Sequence, residues 1–183
     1  MPQNNIKMKK IITIGGSTSR KSINKQLAEY TGSLVSNVEM KKLDLNDYPM
    51  PLYSIDVENE DGISGSAKDL TAAIEATDGI VISLAEHNGS YTAAFKNAMD
   101  WMSRVDGKVW KNKPMLLLST SPGARGGKSV MESALLRFPY GGGNIVSSFS
   151  FPSFHENFKD GEVINEDLKS SLLERIAQFE NAL

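Results

Sequence analysis

The stretch KKIITIGGSTSRKSIN, Lys9 to Asn24, joins two segments of opposite character. KKIITI ends in an apolar, β-branched run, whereas Gly15–Asn24 packs small residues, hydroxyls and two cations into ten positions. Beyond it, Ile23, Leu27, Tyr30 and Leu34 recur at i, i+4, i+7 and i+11, the period of an amphipathic helix. A buried strand, a glycine turn and a helix in succession form the first unit of an alternating α/β chain.

The same alternation continues to the end of the sequence. Apolar runs occur at Lys10–Gly15, Val38–Leu45, Gly79–Leu84, Pro114–Thr120 and Asn144–Phe151. IITI, GIVISL and MLLLST are almost continuously apolar, as strands covered on both faces are, while VEMKKLDL is polar enough for a sheet edge. Helical spacing separates the runs: Ala67, Leu70, Ile74; Phe95, Ala98, Met99, Met102, Val105; Val130, Ala134, Phe138; and Leu168, Leu172, Ile176, Phe179, Leu183. The expected fold is a doubly wound α/β sheet of five parallel strands in the order 2-1-3-4-5, with helices on both faces. Only Asn46–Ser66 reads as a long irregular segment, of the kind that is functional or mobile.

A length of 183 residues fits one domain, 1–183, and 40% apolar with 23% charged residues is ordinary for a globular chain. A formal charge of −2 gives no basic excess for nucleic acid or for an anionic membrane. The absence of cysteine excludes disulfides, thiol nucleophiles, Fe–S clusters and cysteine zinc sites, and two histidines, His87 and His155, are too few for a His-rich metal centre. Residues 1–8 lack the apolar core of a signal peptide and read as a disordered or fraying end. No apolar run approaches the ~20 residues that span a bilayer. The expectation is a cytoplasmic protein.

Three polar loops follow strands on one edge of this sheet: GGSTSRKSIN after the first, AEHNGSYT after the third and STSPGARGG after the fourth. Ligands of such sheets sit beyond the strand C-termini where the order reverses, here between the first and third strands. In the first loop, hydroxyls at Ser17, Thr18, Ser19 and Ser22, the amide of Asn24, and Arg20 or Lys21 surround a helix N-terminus, which suits a phosphate monoester. The same ten residues also fit a solvated turn with Ser22 as the helix N-cap. SPGARGG offers close backbone approach and Arg125, or equally a plain turn with an exposed arginine. No G-x-G-x-x-G follows the first strand, and GGKS at 126–129 fails as a Walker loop because Pro122 stands where its first glycine belongs. There is no triad and no metal cluster.

The motifs resemble those of the NAD(P)H-dependent FMN reductases of flavodoxin-like fold, over nearly the whole chain. Their phosphate loop, G-S-x-R-x-x-S-x-N, is matched by Gly16, Ser17, Arg20, Ser22 and Asn24 with one residue of spacing changed. A PLY segment is matched in PMPLYSID at 49–56. The pattern P-E-Y-N-x-S-x-P-G-x-L-K-N-A-x-D-W is matched at Glu86, Asn88, Ser90, Lys96, Asn97, Ala98, Asp100 and Trp101, and SPGARGG matches a glycine-rich turn. Ala85, His87, Thr92 and Ala93 depart from it, in the loop that lies against the flavin ring in the family.

The resemblance implies a flavodoxin-like three-layer sandwich and a bound FMN. Ser17, Arg20, Ser22 and Asn24 would hold the phosphate, beside Gly16, Ser19 and Ile23. Ala85, Glu86, His87 and Asn88 would line the ring, and Ser121, Gly123, Gly126 and Gly127 would frame its edge, with Arg125 as a modulator. It further implies hydride passage from NAD(P)H through FMN to a small acceptor such as a quinone, flavin, azo compound or metal oxyanion, with no side chain needed as acid or base for the first half-reaction. Alternatives on this fold are a flavodoxin-type electron carrier and a flavin-free binding or regulatory module. A homodimer or homotetramer with the pocket near the interface is also implied, with no nucleic acid and no membrane as partner. Trp101, beside the core face of its helix, reads as covering a second surface in such an interface rather than as a ring at the core margin.

Overall fold

Alternation along each central strand builds the core. In the computed structural model, which describes residues 8–183, β1 (Lys9–Gly15), β3 (Gly79–His87) and β5 (Pro114–Thr120) are buried over most of their length. Ile12, Ile14, Ile80, Ile82, Leu84, Met115 and Leu117 point to one face, where α3 (Gly65–Glu75), α4 (Ala93–Val105) and α5 (Lys128–Arg137) cover them. Ile11, Val81, Leu116 and Leu118 point to the other, under α1 (Ile23–Ser33) and α7 (Glu166–Glu180). Period-two side-chain direction thus turns continuously apolar strands into two core layers. The expected fraying end falls on residues 1–7, outside the described residues, apart from the exposed Met8.

The five parallel strands run β2-β1-β3-β5-β6, with β2 (Val38–Leu43) at one edge and β6 (Asn144–Phe151) at the other. This is the expected order; its numbering shifts because a two-residue β4 (Ser90–Tyr91) pairs antiparallel with the end of β3. Asn88 and Gly89, at φ 53° and 76°, make the turn between them. Asn-Gly is the preferred pair where two successive residues need positive φ.

Three further departures have physical causes. Asn46–Ser66 is not irregular throughout: it holds a 3₁₀ turn at Leu45–Asp47 and α2 (Ile55–Asp61), capped by Ser54, whose Oγ accepts from Val57 N at 3.1 Å. No α2 side chain is fully buried, so apolar spacing carried no signal for it. In α1 the fully buried face is Asn24, Leu27, Ala28, Thr31 and Gly32, with Ile23, Tyr30 and Leu34 only partly buried. Small residues let that helix approach the sheet closely. After β6, a short α6 (Phe154–Asn157) and the hairpin β7 (Phe158–Lys159) and β8 (Glu162–Val163) were not anticipated, although Asp160-Gly161 is a hairpin-type pair.

Trp101 is also corrected. It is fully buried by its own chain, donates Nε1–H to Pro51 O at 2.8 Å and meets the Tyr53 ring edge-on at 5.1 Å. Asn97 completes the clamp by accepting from Tyr53 N at 2.8 Å and donating to Pro51 O at 2.9 Å. The K-N-A-x-D-W and PLY motifs are therefore two halves of one structural contact, and Trp101 covers no subunit interface.

Candidate functional site

The site is assembled where β1 and β3 diverge. Gly15 brings the chain out of β1 so close to α1 that a Cβ would lie 2.7 Å from Lys25 Cα. Gly16 N–H bonds Ser83 O at 2.8 Å and its carbonyl accepts from Thr92 Oγ1 at 2.9 Å, tying the first loop to β3 and to the start of α4. Thr92 also accepts from Phe95 N at 3.2 Å, so this departure from the family pattern caps α4 and locks the loop beside it.

Ser17 Oγ accepts from Ser19 N at 3.1 Å, and Ser22 Oγ accepts from Lys25 N at 3.2 Å as the N-cap of α1. The capping reading of Ser22 is therefore correct, and its O–H still has a proton to donate. Among the described residues, the N–H groups of Ile23 and Asn24 have no hydrogen-bond partner in the chain. Lys25 is committed elsewhere: its ammonium pairs with Asp44, and that hydrogen bond raises the lysine above its ordinary range. Burial pushes the Asp44 carboxyl up, but bonds from Lys25 and Asn46 outweigh it and hold it below the usual carboxylate range.

Asn24 is only 2% exposed, and its amide is spent on the sheet. Nδ2 donates to Thr120 O at 3.1 Å, while Oδ1 accepts from Ser83 Oγ at 2.7 Å and from Thr120 N at 3.0 Å. It anchors the helix end to β3 and β5 and presents only its backbone N–H outward.

Loops after β3 and β5 close the site. Glu86 accepts from Val130 N at 2.9 Å through its carboxylate, which caps α5. Gly126 and Gly127, at φ 58° and 74°, turn the chain into α5, and a Cβ on Gly126 would stand 2.7 Å from Phe151 O. Arg125 is exposed, its Nη2 on Ser129 Oγ at 3.2 Å.

A cleft of about 220 Å³ lies between these loops. Of the residues expected from sequence, Ser17, Ser19, Ser22, Ile23 and Asn24 line it from the first loop. Ala85, Glu86 and His87 line it from the second, and Ser121 from the third. Gly16, Arg20, Asn88, Gly123, Arg125, Gly126 and Gly127 do not line it; the glycines and Asn88 shape the loops that do. Lys21, Thr120, Pro122 and His155 are part of the wall as well. His155, from α6, was missed, although it follows the end of the fifth apolar run by four residues, where strand-end loops line such sites. A second cleft of about 320 Å³ between α4 and α5 is floored by Tyr91, Trp110 and Phe138 and takes from the three loops only Tyr91, at the end of the second. Among the described residues, no three His, Cys, Asp or Glu gather as metal ligands, and no helix is long and apolar enough to cross a membrane.

Free N–H groups and hydroxyls at the switch point of a doubly wound sheet form a donor set suited to an anion such as a phosphate. The chain belongs to the NADPH-dependent FMN reductase family, whose model matches residues 9–156. It is 31% identical over 121 residues to a quinone reductase of Escherichia coli K12, covering 64% of this chain and 62% of that protein. Against a 2-hydroxy-1,4-benzoquinone reductase of Burkholderia sp it is 38% identical over 119 residues, 64% of this chain and 63% of that one. The match thus spans under two thirds of those relatives' length. Among solved structures it is similar to the flavoenzyme NAD(P)H:(acceptor) oxidoreductase FerB of Paracoccus denitrificans, with a TM-score of 0.76, 25% identity, and coverage of 95% and 96% of the two chains.

Proposed function

We propose that the chain is a single FMN-binding domain acting as an NAD(P)H-dependent oxidoreductase toward a small acceptor of the quinone class. The observation that carries this reading is the N-terminus of α1, with two unpartnered N–H groups and three serine hydroxyls in one cleft with the ends of β3 and β5. The donor set fits a phosphate monoester, whose charge is about −1.5 to −2 at neutral pH. Ser17, Ser19 and Ser22 would hold it with the N–H groups of Ile23 and Asn24, and Arg20 and Lys21 would add charge. Ala85, Glu86 and His87 would lie along the ring, and Ser121 at its edge.

At about 220 Å³ the cleft is smaller than pockets that enclose whole drug-sized ligands, roughly 300–1,000 Å³, so the ring would rest over its rim, open to a second molecule. Bound FMN would supply the hydride chemistry. The chain's residues supply position: Gly16, fixed by Ser83 and Thr92, sets the loop against β3, and Asn24 sets the helix end against β5. No residue is required to move a proton in the first half-reaction, hydride transfer from NAD(P)H to the flavin. The quinone reductases among the relatives and the acceptor oxidoreductase among the structures support a turnover enzyme over an electron carrier or a flavin-free module.

Arg20→Ala and Ser22→Ala are each expected to weaken FMN binding, by about 1.5–3 kcal/mol where the bond to phosphate is charge-assisted. Unchanged dissociation constants in both variants would remove the phosphate assignment. We further propose a cytoplasmic homodimer or homotetramer. Leu136, near the end of α5, and Tyr140, in the 3₁₀ turn Phe138–Gly141 that follows it, are 75% and 77% exposed and give apolar surface for a second copy to cover. A monomer by sedimentation at micromolar concentration would contradict this.

A further inference from the structure

We propose that His155 is a second-wall partner of the cofactor phosphate, so that the cleft grips the anion from both α1 and α6. This rests on the FMN reading above. Asn24, the second residue of α1, bonds both backbone groups of Thr120, the last residue of β5. Phe154, the first residue of α6, donates its N–H to the carbonyl of the next residue, Ser121, at 3.1 Å. The two helix starts are therefore tied to successive residues of one strand end. His155 follows Phe154 directly and lines the same cleft as Ser19, Lys21 and Ser22.

The segment that carries His155 is held firmly. Ser153 N–H bonds Gly123 O at 3.0 Å, and Ser153 sits at φ 44°, a left-handed conformation that non-glycine residues adopt only when their surroundings enforce it. Phe154 is buried, stacks on Phe158 at 4.7 Å and meets Phe151 edge-on at 6.1 Å. The His155 ring stands edge-on to Phe154 at 5.6 Å. Three phenylalanines of the lower core layer and a strained serine thus fix the backbone under an imidazole at the cleft wall. The imidazole is on an exposed residue and, among the described residues, makes no side-chain hydrogen bond, so a ring N–H is available to a ligand.

The ligand's chemistry follows from the neighbours. Lys21, the serines and the start of α1 with its free N–H groups line the same cleft, and all donate or carry positive charge. The acidic group that shares the cleft, Glu86, has its carboxylate turned to Val130 N. A ring N–H added to such a donor set favours an anion with several acceptor oxygens.

The test compares FMN with riboflavin, which differ only in the phosphate. Dissociation constants for both, from flavin fluorescence quenching, would be measured for the unaltered chain, His155→Ala and His155→Gln. His155→Ala is expected to weaken FMN about tenfold and leave riboflavin within about twofold, while His155→Gln, which keeps an N–H donor, retains most of the preference for FMN. Equal weakening of both flavins, or no change for FMN, would overturn the proposal while leaving FMN binding intact. Failure of the unaltered chain to prefer FMN over riboflavin would instead bring down the phosphate site itself, and this inference with it.

Discussion

Asn24→Ala is expected to lower the melting temperature by roughly 6–12 °C and to weaken FMN binding in the same variant. The side chain is buried and makes three hydrogen bonds, to Ser83 Oγ and to both backbone groups of Thr120. Alanine leaves those buried groups without it, at about 1–3 kcal/mol for each left unsatisfied. A total near 3 kcal/mol corresponds to about 2–4 °C per kcal/mol in a domain of this size. The affinity would fall because the same bonds set the spacing between the N-terminus of α1 and the end of β5, two walls of the proposed phosphate site. Asn24→Asp keeps the acceptor but buries a charge and loses the donor to Thr120 O, so it should destabilise as well. Circular dichroism melts check this directly. A melting temperature within about 2 °C of the unaltered chain would mean that Asn24 does not hold the helix to the sheet.

Trp101→Ala should destabilise by about 3–5 kcal/mol, the range for deleting a fully buried large aromatic. It removes the ring that Tyr53 packs on and the donor to Pro51 O. Trp101→Phe keeps much of the packing and loses the hydrogen bond, so about 1 kcal/mol is expected. Neither change should alter the sedimentation coefficient, because Pro51 and Tyr53 of the same chain cover the ring. Dissociation of an assembly with an unchanged melting temperature would return Trp101 to a subunit interface.

The strands and their order were legible because the sheet is buried on both faces. Continuous apolar runs at Ile11–Ile14, Gly79–Leu84 and Met115–Leu118 leave little ambiguity, and the helices between them keep regular spacing. What escaped the sequence lacks an apolar signature. Helix α2 buries no residue fully and is held by polar bonds: Tyr53 Oη to Glu58 at 2.9 Å, and Arg104 Nε to the same carboxylate at 2.8 Å. Trp101 was misassigned because its cover comes from Pro51 and Tyr53, some fifty residues upstream, a contact no local period encodes. Asn88-Gly89 and Asp160-Gly161 did carry turn signals, and both are hairpins.

The site was legible as a set of loops but not as a set of side-chain roles. Ser17, Ser19, Ser22 and Ile23 line the cleft as expected. Asn24 and Glu86 line it too, yet their polar ends are used to brace α1 and α5. A motif letter does not say whether a polar residue faces a ligand or a neighbouring helix. His155 lies far along the chain from the first loop, and only the placement of β6 beside β5 brings it near.

The proposed role of GGSTSRKSIN is to hold an FMN phosphate in a working reductase. Its most direct test is the visible absorption spectrum of the purified chain with excess FMN, after unbound flavin is removed, and then with NADPH and no oxygen. Flavin bands near one equivalent per chain are expected, bleached on addition of NADPH and restored by a quinone. Protein that retains no flavin, or flavin that NADPH leaves coloured, would contradict it.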